Sequence, residues 1–104
     1  MSENQFGPLK NRSISSTPIA EGRRSLLQIR VDILRVVMEG YVKPTQIMYK
    51  ANLSWNVLQN QLKAFLEMDL LKAEEYGSRR MYIITPKGTE MVRSYQKVLD
   101  QILE

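Results

Sequence analysis

A chain of 104 residues has room for one compact core and little else, since domains of about 100 to 150 residues are the commonest size. It contains neither cysteine nor histidine, which excludes disulfides and thiolate chemistry and removes the commonest general base and transition-metal ligand. The 15 Lys and Arg against 11 Asp and Glu leave a formal charge of +4, a balance that favours polyanionic partners. No apolar run approaches the roughly 18 residues of a membrane span, and the start of the chain lacks the basic and then apolar stretch of a secretory signal. The expectation is a cytoplasmic protein with no membrane role.

Residues 1–24 are rich in Ser, Asn, Gly and Pro, break every periodicity and offer few apolar groups, so a flexible arm is expected. The arm carries Lys10, Arg12, Arg23 and Arg24 against Glu3 and Glu21, charges suited to a nucleic-acid backbone. From Ser25 to Glu39 the apolar residues fit a helix with Ser25 as its N-cap and Gly40 as its stop. They cover well over half its circumference, which predicts protein on more than one side. Arg30 falls inside the apolar arc, where it either pairs with a carboxylate or marks the edge left open for a subunit.

Pro44 opens a second, short helix that Asn52 ends. Ser54 then stands as the N-cap of a third, from Trp55 to about Met68, with Leu58, Leu62, Phe65 and Leu66 on one stripe. Two helices joined by Ala51-Asn52-Leu53-Ser54, the second with an amide-rich N-terminal half, have the pattern of a helix-turn-helix. Leu70 to Tyr76 and Arg79 to Ile84 predict a hairpin about Gly77-Ser78, and Thr85-Pro86 starts a closing helix. In that helix Met91, Val92, Tyr95, Val98, Leu99 and Ile102 alternate at three and four, more apolar surface than a terminal helix leaves wet, and dimerisation through them is expected.

The order of elements, with the phrases Ala51-Asn52-Leu53-Ser54-Trp55 and Tyr82-Ile83-Ile84-Thr85-Pro86-Lys87-Gly88, resembles a family of archaeal winged-helix DNA-binding proteins over residues 25 to 100. The resemblance implies a mainly α fold with a small β-hairpin (α+β): an arm at 1–24, a winged-helix DNA-binding domain at 25–85, and a dimerisation helix at 86–104 that pairs antiparallel with its twin. It also implies double-stranded DNA as the partner. The chain departs from the family pattern at Asp69, where a glycine is usual, at Trp55, where tyrosine is typical, and in a closing helix short for a long coiled coil.

A helix entering the major groove needs polar groups opposite its core stripe, and Asn56, Gln59, Asn60 and Lys63 satisfy that requirement, with Ser54 and Trp55 at the helix start. Arg79 and Arg80 follow the wing turn and are suited to phosphates or a narrow minor groove, unless Glu74 and Glu75 pair with them across the hairpin. Lys43, Thr45, Gln46 and Lys50 around the short helix are candidate backbone contacts. No paired carboxylates, nucleophile–base sets or phosphate-binding glycine loops occur, so neither an enzyme nor a cofactor is expected. The rival to a DNA-binding transcription regulator is a winged-helix scaffold for other proteins, since fold does not fix function.

Overall fold

The computed structural model describes residues 24–103, so the arm expected at 1–24 lies outside it except for Arg24. Four helices and one hairpin follow in the order α1 (Leu26–Met38), α2 (Pro44–Ala51), α3 (Trp55–Glu67), β1 (Leu71–Tyr76), β2 (Arg79–Ile84) and α4 (Pro86–Leu103). This is the mainly α architecture with a small antiparallel sheet that the sequence predicts. No helix among the described residues is long and apolar enough to cross a membrane.

Local chemistry fixes where each helix begins. The hydroxyls of Ser25 and Ser54 accept from the backbone N–H three residues on, Gln28 at 3.0 Å and Val57 at 3.2 Å, each satisfying one of the donors a helix start leaves orphaned. Thr85 does the same for α4, accepting from the Gly88 N–H at 3.0 Å.

The first three helices end alike. Gly40, Asn52 and Asp69 lie in the left-handed region at φ 104°, 56° and 61°. The residue after each donates back five positions, Tyr41 to Val36, Leu53 to Met48 and Leu70 to Phe65, the closing bond of a Schellman motif. Asp69, the departure at the end of α3, therefore takes the conformation the usual glycine would take. Asn and Asp are the non-glycine residues that enter it most readily.

The core collects one face from every element. Phe65, Ile33, Leu34, Ile47, Leu58, Leu62 and Leu71 are almost wholly buried, each side chain worth about 1.5–3 kcal/mol relative to exposure. α1 packs on α2, on β2 and on α4, which accounts for its wide apolar arc. Arg30 finds an amide in place of a carboxylate among the described residues, its Nε donating to the Gln61 Oε1 at 2.8 Å and bridging α1 to α3.

β1 and β2 pair in register from Leu71 opposite Ile84 to Tyr76 opposite Arg79. Gly77 at φ 64°, with no positive φ at Ser78, fits the two-residue type II′ turn that matches strand twist. The other edge of β2 is used as well, since the Tyr82 N–H donates to the Val42 carbonyl at 2.9 Å and ties the α1–α2 connection to the sheet. A Cβ at Gly88 would sit 2.3 Å from the Leu70 carbonyl oxygen, so only glycine lets α4 leave the hairpin this closely.

Candidate nucleic-acid interface

Burying Leu58, Leu62 and Phe65 turns the opposite stripe of α3 outward. Asn56, Asn60 and Lys63 lie on that stripe and are exposed, while Gln59 is half-buried on its flank. Trp55, at the first position of the helix, is 47% exposed and so is not part of the core. Ser54 is exposed, with its hydroxyl oxygen engaged as the cap. Sequence reasoning missed Glu67, exposed and one turn beyond Lys63 on the same stripe. Its carboxylate repels phosphate, which confines any anion-binding surface to the N-terminal two-thirds of the helix.

Both ends of α3 are fastened to other elements. At its C-terminus the Lys87 ammonium donates to the Met68 carbonyl at 3.0 Å, and the Thr85 hydroxyl to those of Asp69 and Leu70 at 2.7 and 3.1 Å. These bonds explain the roles of Thr85 and Lys87 in the phrase that leaves the wing. At its N-terminal elbow the Arg24 guanidinium donates to the carbonyls of Ala51 and Asn52. Arg24 is thus not free in the manner expected of the arm.

In the hairpin the two arginines part company. Arg80 faces Glu75 across the ladder, with Nε 3.7 Å from its carboxylate, and lies over the buried Tyr82 ring at 5.6 Å. Arg79 faces Tyr76, and no carboxylate among the described residues lies within ion-pair distance of it. The competition foreseen between the glutamates and both arginines therefore operates at Arg80 alone. Glu74 holds Lys72 at 3.6 Å instead and accepts from the Tyr76 hydroxyl at 2.6 Å. That bond and the carboxylate's charge push the Tyr76 phenol above its ordinary pKa, so it stays neutral at physiological pH.

Around α2, Lys43, Thr45 and Gln46 are exposed at the helix start, where Gln46 Oε1 accepts weakly from the Lys43 N–H at 3.5 Å. Lys50 does not join them. Its ammonium lies 4.8 Å from the Tyr41 ring centroid, and it borders a shallow concavity with Arg24, Asp32, Arg35 and Glu39, on the α1 side of α2.

Residues 23–102 match the family described as winged helix-turn-helix. The chain belongs to the winged helix-turn-helix family. A sequence relative is the uncharacterised protein MJ0290 of Methanocaldococcus jannaschii, 29% identical over 76 residues that cover 73% of this chain and 34% of that protein. The chain thus spans about a third of the length of the curated relative it matches. Among solved structures, Sso10a-2, a DNA-binding protein from Sulfolobus solfataricus, is 25% identical at a TM-score of 0.64, covering 77% of this chain and 86% of that one. AF1382 from Archaeoglobus fulgidus, 17% identical, gives 0.65 with coverages of 77% and 92%. The homodimeric winged helix-turn-helix DNA-binding domain of Mb0332 from Mycobacterium bovis, 23% identical, gives 0.64 with coverages of 73% and 71%.

In this winged helix-turn-helix chain the predicted dimer seam of α4 divides in two. Val92 is 5% exposed and belongs to the core of the single chain, correcting its assignment to the seam. Tyr95 and Leu99 are half-buried; the Tyr95 hydroxyl donates to the Gln28 Oε1 at 3.3 Å, and Arg35 packs over its ring and bonds Gln96. Met91, Val98 and Ile102 remain 47%, 52% and 70% exposed. Alternation at three and four does not separate a helix's contact with its own domain from contact with a twin, because both follow the same period.

Proposed function

We propose that this chain binds double-stranded DNA as a homodimer and regulates transcription, acting on the chromosome inside the cell as a binding protein and not as an enzyme. The observation that carries the proposal is the open stripe of Asn56, Asn60 and Lys63 on a helix whose two ends are both fastened. A rigid helix with outward amides near its start suits the major groove, where Asn and Gln pair bidentately with adenine and Lys reaches guanine or phosphate. Gln59 joins from the flank, and Ser54 and Trp55 face the backbone at the helix start. Lys43, Thr45 and Gln46 bind phosphate at the start of α2, whose N-terminal N–H groups carry partial positive charge. Arg79 reaches from the wing tip, with Arg80 in a lesser part.

The likeness to Sso10a-2 and to the homodimeric domain of Mb0332 supports both the ligand and the assembly. Met91, Val98 and Ile102 form the exposed part of the dimer contact, with Tyr95 and Leu99 at its edge. In such a dimer the half-sites lie about one helical turn, roughly 34 Å, apart. The test is selection of bound duplexes from a random pool at near-physiological salt. An enriched, two-fold symmetric motif supports a gene-specific regulator. No retention of any duplex, even at low salt, removes the proposal and leaves the protein-scaffold reading.

A further inference from the structure

We propose that Arg24 is a positioning residue for the recognition helix, a role that rests on the DNA-binding reading of α3. Its guanidinium forks to three acceptors at once. Nη1 donates to the Ala51 carbonyl at 2.7 Å and to Asp32 Oδ2 at 2.8 Å, and Nη2 donates to the Asn52 carbonyl at 2.5 Å. The two carbonyls belong to the elbow between α2 and α3, two and three residues before the Ser54 cap. They are among the carbonyls that the end of α2 leaves without helical partners, and a cation there also opposes the negative end of the helix dipole.

The elbow fixes the N-terminal end of α3, as Thr85 and Lys87 fix its C-terminal end. Asn52 turns the chain at φ 56°, a conformation a non-glycine residue holds only against a cost, and Arg24 clamps the oxygen of that residue and the one before it. Asp32 is itself held: the Gln28 amide donates to its Oδ1 at 2.7 Å, and Gln28 in turn accepts from the Tyr95 hydroxyl of α4. The clamp therefore stands on α1, the most buried helix, and is steadied from α4. Both charged partners are about three-quarters shielded, with side-chain exposures of 27% and 25%, so this is a fixed contact. Planar forked geometry is what arginine supplies and lysine does not.

Arg24 acts on DNA through α3 and not by touching phosphate. The distinction is measurable, because each lost phosphate contact lowers the salt slope of log K by about 0.9, whereas a displaced recognition helix lowers K. The experiment compares the wild-type chain with R24K, R24Q and D32N. It reads affinity for one selected duplex across a salt series by fluorescence anisotropy, scaled to the folded fraction from thermal unfolding, together with backbone amide NMR shifts. R24Q and R24K are both expected to weaken binding about 2- to 30-fold at an unchanged slope, the range of effects transmitted from residues that touch no ligand. D32N is expected to follow in the same direction, and the amides of residues 52–56 are expected to shift in all three.

Two results overturn the proposal. A slope lowered by about 0.9 in R24Q but kept in R24K makes Arg24 a phosphate ligand. Unchanged affinity of the folded fraction, with shifts confined to residues 24–32, makes the clamp a stabilising contact only. If the wild-type chain binds no duplex, the DNA reading fails while the amide shifts at 52–56 still decide whether Arg24 sets the elbow.

Discussion

Single side chains carry most of what separates this chain from a generic helical bundle. Gly88 is the sharpest steric constraint: with the Leu70 carbonyl 2.3 Å from the site of a Cβ, G88A is expected to destabilise the fold by about 3 kcal/mol, read by urea unfolding at constant slope. Arg79 and Arg80 make the second prediction. Because Glu75 already engages Arg80, R79A is expected to weaken DNA binding more than R80A and to lower the salt slope by about 0.9. Equal effects would show that the pair across the hairpin opens on binding. The sequence placed the arginines correctly but left both exposed to the same competition. Strand register, which needs the turn geometry at Gly77, assigns Glu75 to Arg80 and Tyr76 to Arg79.

At the scale of elements, caps and turns were legible because their chemistry is local. Ser25, Ser54, Gly40, Asn52 and Pro44 each name a boundary, and the observed helices begin and end beside them. S54A is expected to cost about 1 kcal/mol by exposing the Val57 N–H, and N52G to cost nothing at the left-handed position, both measured by chemical denaturation. Contacts between distant residues were not legible. Nothing in the pattern of the sequence joins Arg30 to Gln61, Lys87 to Met68 or Arg24 to Asn52, since each depends on how the elements are packed. The same limit explains Val92: its spacing fits an α4 seam, but the seam's inner edge lies against the chain's own core.

For the whole molecule, α4 presents an apolar arc wider than its own domain covers, and the excess is the proposed contact with a twin. V98D and I102D are therefore expected to yield a folded monomer with wild-type helical content, measured by analytical ultracentrifugation and circular dichroism. V92A, in the core, is expected to destabilise each subunit by about 2 kcal/mol. A monomeric wild type at micromolar concentration would withdraw the dimer and leave Met91, Val98 and Ile102 for another partner. In the proposed dimer assembly and DNA binding are expected to be linked, because two recognition helices on one duplex multiply the affinity of each.

DNA binding by the outward stripe of α3 is tested with least ambiguity at Lys63, which is exposed and charged and absent from every internal bond among the described residues. Duplex affinity measured against salt for the wild type and for K63A is predicted to give two straight lines on logarithmic axes, the variant weaker and shallower by about 0.9. Coincident lines, with both proteins folded and equally dimeric, would contradict the placement of this helix against DNA.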